Sequence, residues 1–159
     1  MKLSTRKTYA VLYNIRSVHN VGSIFRTADC FGVSEVILVG YTPAPIDRFG
    51  RILKAFGKVS LGAEVSVSWR QFGKISEALS YLREQRVFVV AVEQDEKSKD
   101  YRRLKLKQSV AYIFGNEVGG IPKKIVSECD VVVEIPMHGK KESLNVSVTA
   151  GIILAHYKI

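Results

Sequence analysis

The sequence predicts an α/β fold in which a largely parallel sheet carries helices on both faces. Five short apolar runs alternate along the chain with helical patterns, and most of the runs are continuously apolar. Strands of that composition are buried on both faces, as they are in parallel sheets. No linker, internal repeat or Pro/Gly-rich break interrupts the alternation. Residues 1–159 are therefore predicted to form a single domain.

The predicted elements follow from the periodicity of the apolar residues. The strands are residues 8–13, 35–39, 87–92, 109–114 and 131–135. The helices are residues 21–31, 72–85, 122–127 and 144–157. Asn20 and Ser143 are suitable N-caps for the first and the last helix. Ligands of such folds gather at the carboxyl ends of the strands, so the loops there are the first candidates for a site.

The chain is basic, with 24 Lys and Arg against 15 Asp and Glu and a formal net charge of +9. A field of that sign attracts polyanions and makes nucleic acid the first partner to consider, although a solubilising surface charge explains it equally well. The cations concentrate in two connecting segments: Arg48, Arg51, Lys54 and Lys58, and Lys97, Lys99, Arg102, Arg103, Lys105 and Lys107. Either segment could follow a phosphate backbone or be a solvated loop.

Cys30 and Cys129 are the only cysteines, and neither belongs to a CxxC pair or a His-rich ligand pattern. A metal site and a disulfide framework are therefore not expected, and both cysteines are interpreted as small buried residues in a reducing cytoplasm. No apolar stretch is long enough to cross a bilayer, and the basic N-terminus lacks a cleavage-type sequence. The sequence predicts a cytoplasmic protein without a membrane contact.

Three segments combine glycines with polar side chains in ways that suit a binding site. In the first, residues 14–32, Arg26 lies opposite the apolar stripe of its helix, and Gly22 lies one turn earlier on the same side. Bare backbone beside an arginine leaves room for a ligand. A solvated arginine on an exposed helix face is the simpler explanation of this segment alone.

The second segment, residues 114–122, follows a predicted strand and contains three glycines. Glycines there permit a tight turn and close approach to the backbone, but the spacing is neither GxGxxG nor a Walker loop. Glu117 is an acid at the mouth of this loop, and it would suit an amine, a hydroxyl or a sulfonium cation. An ordinary strand-to-helix turn is the alternative.

The third segment, residues 135–148, crosses a glycine-containing loop and enters the last helix. That helix is apolar on two sides: Leu144, Val148, Gly151, Ile152 and Ala155 on one, and Val146, Ala150, Ile153 and Tyr157 on the other. A helix that is apolar on two sides needs a packing partner on each of them. One side is predicted to meet the core and the other a second copy of the chain. A helix buried entirely within the monomer is the alternative.

Together and in this order, the three segments resemble the three motifs of the SpoU (TrmH) family of RNA 2′-O-ribose methyltransferases, within the SPOUT superfamily. NVGSIFRTADCFG is similar to the first motif, IFGNEVGG to the second and IPMHGKKESLNVSV to the third. The resemblance implies a parallel sheet with a C-terminal deep trefoil knot, and a homodimer. It also implies S-adenosylmethionine as cofactor, RNA as substrate and a ribose 2′-hydroxyl as methyl acceptor.

The resemblance further implies roles for particular residues. The reaction site would consist of Asn20, Arg26, Glu117, Ser143 and Asn145. The cofactor would be held by Val92, Glu93, Gly115, Asn116, Glu117, Gly119, Ile135, Met137, Ser143, Leu144 and Asn145. Arg26 is expected to grip a phosphate beside the target ribose, because a guanidinium is hard to deprotonate and makes a poor base. Glu117 is either a base or a residue that fixes its loop.

Two other classes of protein are less consistent with the sequence. A non-catalytic RNA-binding module on the same fold would not need Arg26, Glu117 and Asn145 together. A Rossmann-type nucleotide enzyme would carry the glycine fingerprint, which is missing here. Within the RNA methyltransferases, transfer RNA is favoured over ribosomal RNA, because no further RNA-binding domain flanks the predicted core, as one does in several family members that act on ribosomal RNA.

Overall fold

The computed structural model describes residues 6–106 and 108–157. The strands are β1 (Thr8–Tyr13), β2 (Glu35–Val39), β3 (Trp69–Phe72), β4 (Phe88–Val92), β5 (Lys99–Asp100), β6 (Val110–Phe114) and β7 (Val131–Glu134). The helices are α1 (Val18–Cys30), α2 (Lys54–Ser60), α3 (Ala63–Ser66), α4 (Ile75–Glu84), α5 (Lys123–Glu128) and α6 (Val146–His156). The strands form one parallel sheet in the order β3-β2-β1-β6-β4-β7-β5.

Helices cover both faces of this sheet. Successive side chains of a strand point to opposite faces, and in β1 Ala10 and Leu12 pack on one face while Tyr9 and Val11 pack on the other. Helices α1, α2, α3 and α6 pack on the first face, and α4 and α5 on the second. The predicted fold class, a parallel α/β sheet with helices on both faces, is confirmed.

The region between β2 and α4 differs most from the sequence prediction. The predicted helix 72–85 begins too early, because Phe72 ends β3 and α4 begins at Ile75. Strand β3 lies at the edge of the sheet, and its central residues Arg70 and Gln71 are exposed. It therefore lacks the continuous apolar run that marks a strand buried on both faces. The short α2, α3 and β5 were also not predicted.

Neither of the two predicted N-cap residues, Asn20 and Ser143, caps its helix. Helix α1 begins earlier than predicted and is capped by Ser17, whose hydroxyl accepts a hydrogen bond from the Asn20 backbone N–H at 3.1 Å. Asn20 is thus a buried residue inside the first turn. Helix α6 is capped by Asn145, whose side-chain oxygen accepts from the Ser147 N–H at 2.8 Å, and Ser143 lies in the preceding loop. The actual caps lie three residues before Asn20 and two residues after Ser143.

Two expectations about α1 are wrong. Gly22 does not make room for a ligand, because a Cβ at this position would lie 3.1 Å from the Val59 Cβ and 3.3 Å from the Phe56 carbonyl oxygen. This glycine allows α2 to pack closely on α1. Cys30 is exposed rather than buried, whereas Cys129 is partly buried, and burial raises the pKa of its thiol to about 11.

The sheet order sets the position of the site. Strand β4 pairs with β6 on one side and with β7 on the other. Because all three are parallel, their carboxyl ends are neighbours at one edge of the sheet, where the loops that follow them meet. Within the described ranges 6–106 and 108–157, no helix has the length and apolar character needed to cross a membrane.

Candidate active site

A cavity of about 780 Å³ opens where the loops after β4, β6 and β7 meet. Its volume lies in the range of small-molecule sites. All residues that the motif resemblance assigns to the cofactor line it: Val92, Glu93, Gly115, Asn116, Glu117, Gly119, Ile135, Met137, Ser143, Leu144 and Asn145. The order of the strands therefore gathers loops that are far apart in sequence into one concave surface. Cofactor contact by each of these residues remains a prediction.

The loop after β6 turns back sharply through glycines. Asn116 and Gly120 pair across the turn, and the Gly120 N–H donates to the Asn116 carbonyl oxygen at 2.9 Å. Gly120 has a φ of 61°, a conformation that favours glycine. A Cβ on Gly115 would lie 2.5 Å from the Gly120 carbonyl carbon and 2.6 Å from Cγ1 of Ile121. Only glycine fits at position 115 without a shift of the loop.

Asn116 holds this loop in shape and ties it to the first half of the chain. Its side-chain oxygen accepts from the N–H groups of Val118 and Gly119 at 2.9 and 2.7 Å. Its side-chain nitrogen donates to the Asn14 carbonyl oxygen at 2.8 Å and to the Tyr41 hydroxyl at 3.0 Å. Both ends of the amide are thus used within the protein.

Glu93 lines the cavity, but its carboxylate is bound to backbone. One oxygen accepts from the Ile121 N–H at 2.8 Å and the other from the Gln94 N–H at 2.9 Å. A side chain at Gly120 would collide with this carboxylate. These contacts position the loop after β6 against the loop after β4.

Three of the predicted reaction-site residues form one hydrogen-bonded chain. The Asn20 amide donates to Glu117 Oε1 at 3.1 Å, and the Asn145 amide donates to the Asn20 oxygen at 3.2 Å. Glu117 also accepts from the backbone N–H groups of Arg16 and Ser17 at 3.0 and 3.1 Å. This chain connects the start of α1, the loop after β6 and the start of α6.

The same contacts set the charge of Glu117. Partial burial by itself would raise the pKa of the Glu117 carboxyl. Hydrogen bonds from backbone N–H groups and from the Asn20 amide lower the pKa, and their combined effect is the larger one. The pKa therefore lies below its ordinary value, and both carboxylate oxygens are occupied. Of the two roles that the sequence leaves open for Glu117, this geometry favours fixing the loop over acting as a base.

We expect Glu117→Gln to lower the free energy of unfolding by up to about 1 kcal/mol at neutral pH, since a neutral amide is a weaker acceptor and the site is partly screened by solvent. Because the pKa is lowered in the folded state, the wild-type carboxylate stabilises fully above the ordinary value of 4.5, and this contribution is lost as the pH falls through the folded pKa. Urea unfolding at a series of acidic pH values measures both effects.

In Glu117→Gln, the free energy of unfolding should lack the part of its dependence on acidic pH that protonation of Glu117 causes. Glu84→Gln, on the exposed surface of α4, is the matched control and should behave like the wild type. If Glu117→Gln loses as much stability at acidic pH as the wild type does, Glu117 does not fix its loop.

Arg26 and Ser143 stand apart from the hydrogen-bonded chain. Ser143 is exposed in the loop before α6 and lines the cavity. Arg26 is exposed on α1, and the cavity lining in the described part of the chain does not include it. The structure therefore brings Asn20, Glu117 and Asn145 together, while Arg26 remains available to a bound partner.

Several cavity residues were missed by sequence reasoning. Gln94 follows Glu93, and its amide donates to the Glu142 carbonyl oxygen at 2.7 Å, which joins the loops after β4 and β7. Thr149 lies one turn after Asn145 on α6 and also lines the cavity. The spacing of Asn145 and Thr149 on one side of the helix is the signal that could have identified Thr149.

A parallel α/β domain with a cavity at the carboxyl ends of its strands defines a class of small-molecule and cofactor-binding proteins. The model of the SpoU rRNA methylase family matches residues 7–155, and the chain belongs to this family. The resemblance drawn from the three motifs is confirmed.

Individual relatives agree with this assignment. The chain is 33% identical over 153 residues to a 23S rRNA (guanosine-2′-O-)-methyltransferase of Neisseria meningitidis, covering 96% of this chain and 58% of the relative. It is 31% identical over 147 residues to a Staphylococcus aureus protein assigned to the TrmH family of tRNA/rRNA methyltransferases, covering 92% and 56%. An AdoMet-bound rRNA methyltransferase from Sinorhizobium meliloti superposes with a TM-score of 0.80 at 31% identity, covering 94% and 55%. The chain thus spans little more than half the length of each.

Proposed function

We propose that the chain is an S-adenosylmethionine-dependent RNA methyltransferase that methylates a ribose 2′-hydroxyl. The observation that carries this proposal is the cavity in which the predicted cofactor residues of all three motif loops meet. Family membership supports the reaction class, because the Neisseria relative is named a guanosine-2′-O-methyltransferase. The Sinorhizobium structure, described as AdoMet-bound, supports the cofactor.

We place the substrate in ribosomal RNA before transfer RNA, which changes the sequence-based preference. The Neisseria and Sinorhizobium relatives are both named for rRNA, and the Staphylococcus protein for tRNA and rRNA together. The preference for transfer RNA relied on the lack of a flanking domain. That argument has no weight, since the chain spans little more than half of its relatives. Either RNA would place the protein in the cytoplasm.

The residues around the cavity fit the proposed cofactor. The glycine at position 115 lets residues 120 and 121 fold closely onto the loop that lines the cavity, and main-chain groups near Gly115, Ile135 and Leu144 would hold the cofactor. When bound, S-adenosylmethionine supplies an electrophilic methyl group on a sulfonium. Glu117 adds the negative field that favours such a cation at the cavity mouth.

The polar side chains would prepare the ribose hydroxyl. Arg26 would hold the adjoining phosphate through its planar fork and lower the pKa of the neighbouring hydroxyl, whose proton would pass to a phosphate oxygen that the fork does not occupy. Asn20 and Asn145, fixed by the chain to Glu117, would keep the loops after β6 and β7 aligned. Ser143 would orient the ribose or the methionine end of the cofactor.

We infer that the C-terminal segment forms the knot implied by the family. After β4 the chain adds β5 outside β7, and it then enters β6 on the other side of β4. Within this connection Tyr101 and Leu104 pack on the same face of the sheet as α6, and the Tyr157 hydroxyl donates to the Tyr101 carbonyl oxygen. A C-terminal segment threaded through the connection between β4 and β6 would make these contacts, and they support the inference.

We also propose a homodimer formed through the exposed apolar side of α6. One predicted side of this helix, with Ala150 and Ile153, is buried in the monomer. The other side is not, and Leu144 and Val148 remain 39% and 48% exposed. A partly exposed apolar stripe on a helix is suited to a two-fold contact with the same stripe of a second copy.

Val148→Glu is expected to convert the dimer to a folded monomer with a moderately lower melting temperature, because a charge is placed in an apolar contact between the copies and the stabilisation by the second copy is lost. Ile153→Glu should instead unfold the protein, because Ile153 is fully buried. Sedimentation and thermal unfolding distinguish the two outcomes. Val65→Glu, at an exposed valine of α3, is the matched control, and a wild-type monomer at micromolar concentration would contradict the dimer.

The function is tested by incubating ribosomal and transfer RNA, each lacking modifications, with the protein and S-adenosylmethionine. The RNA is digested to nucleosides and weighed, and fragmentation locates the added methyl group on sugar or base. A methyl on a ribose of either RNA supports the proposal, and the RNA that reacts decides the substrate class. Binding of RNA without transfer to either would indicate the alternative, a non-catalytic RNA-binding module.

A further inference from the structure

The loop of residues 41–53, between β2 and α2, exposes large apolar side chains that the proposed reaction does not use. Phe49 is 66% exposed, Tyr41 58% and Ile52 45%. Three large apolar side chains exposed within one short loop make that loop a candidate interaction site. Phe49 is the most exposed of these three.

Two arginines surround the Phe49 ring. The guanidinium carbons of Arg48 and Arg51 lie 4.7 and 5.1 Å from the ring centroid. Lys54 and Lys58 are exposed on the helix that follows. Both arginines are exposed and lie over the ring in the free protein. A base would stack on Phe49 as its neighbouring phosphates draw these guanidinium groups from the ring face to the RNA backbone.

The loop holds the ring in a defined position. The Asp47 carboxylate accepts from the Phe49 N–H at 2.8 Å, and from the Arg51 N–H and Nε at 3.0 and 2.8 Å. Ile46 and Ile52 pair across the base of the loop. A surface that is already ordered loses little conformational entropy when it binds.

The loop is also connected to the candidate active site. The Tyr41 hydroxyl accepts from the side-chain nitrogen of Asn116, whose loop lines the cavity. RNA that contacts residues 41–53 would therefore continue towards the cavity mouth. The cations of this surface, Arg48, Arg51, Lys54 and Lys58, match a polyanion and would repel the same surface of a second copy.

We propose that the 41–53 loop is a second RNA-binding surface, at which an unpaired nucleobase stacks on Phe49 while Arg48 and Arg51 contact the phosphates beside it. This inference rests on the proposed RNA methyltransferase function. It adds a base-stacking residue outside the reaction site, and it predicts that the target nucleotide lies near an unpaired segment.

The test measures binding of a fluorescent single-stranded oligouridine of about eight nucleotides, and of a duplex RNA of equal length. Phe49→Ala should weaken single-strand binding roughly tenfold, the usual effect of losing one stacked base, and leave duplex binding nearly unchanged. Phe49→Trp should restore binding. Phe49→Leu, which retains apolar bulk without a π face, should not, and Val65→Ala, at an exposed valine on α3, is the control.

Three outcomes would overturn the proposal: equal single-strand binding by wild type and Phe49→Ala, full recovery in Phe49→Leu, or no binding of the single strand by the wild type. Recovery with leucine would show that the loop contacts RNA through apolar bulk and not by stacking a base on Phe49. The result is independent of methyl transfer. A protein that binds as expected but transfers no methyl contradicts the proposed function, whereas an active protein indifferent to Phe49 contradicts only this inference.

Discussion

Gly115→Ala is expected to reduce the affinity for S-adenosylmethionine at least about tenfold, because the added Cβ forces the cavity loop to shift. The new atom would lie 2.5 and 2.7 Å from backbone atoms of Gly120 and Ile121. Real Cβ atoms do not approach backbone so closely, so the turn that shapes the cavity must move. Calorimetry with S-adenosylmethionine and with its demethylated product measures the loss.

Gly57→Ala is the matched control for this experiment. Gly57 lies in α2, where a Cβ would make only ordinary contacts, 3.5 Å from Ile52 and 3.6 Å from Glu64. Alanine should stabilise that helix slightly and leave cofactor affinity unchanged. Wild-type affinity in Gly115→Ala would show that the cofactor binds outside this cavity. Thermal unfolding of both variants separates a loss of binding from a loss of folding.

Arg26→Ala is expected to reduce methyl transfer by about two to three orders of magnitude, the usual cost of losing a positioned, charge-stabilising donor. Cofactor affinity should stay nearly unchanged, because the described cavity lining does not include Arg26. Arg26→Lys should recover little activity, since a point charge cannot replace a bidentate grip on phosphate. Single-turnover rates with saturating cofactor, together with calorimetry, measure the two effects separately.

The cysteines provide the control for this mechanism. Catalysis by a thiolate would need a lowered pKa, whereas burial raises the pKa of the Cys129 thiol to about 11. Cys30→Ala and Cys129→Ala should therefore retain activity if they fold. A methyl group found on the base, or turnover lost only in a cysteine variant, would contradict both the ribose as acceptor and the role of Arg26.

The apolar runs predicted the central strands well, because residues buried on both faces leave a pattern that depends only on local sequence. β1 and β2 have the predicted bounds, and β4, β6 and β7 differ by one residue at one end. The edge strand β3 and the short β5 carry no such run. Their conformation is fixed by pairing with β2 and β7, which are distant in sequence.

The residues of the site were predicted more completely than their roles. The three motifs identified Asn20, Glu117 and Asn145, but Asn20 was interpreted as a helix cap. The structure instead buries it between the other two, where its amide gives one hydrogen bond and accepts another. Ser17 caps the helix, and the Asn20 side chain bonds Glu117 and Asn145, which are distant in sequence.

The sequence by itself determined the class of fold, the family and half of the residues that line the cavity, because burial patterns and the order of motifs can be recognised along the chain without its three-dimensional structure. The tertiary structure alone decided which side of α6 is left uncovered, that Gly22 serves helix packing, and that Glu117 is clamped by backbone donors. Each of these depends on contacts between segments distant in sequence, whose geometry is set only when the sheet order brings them together.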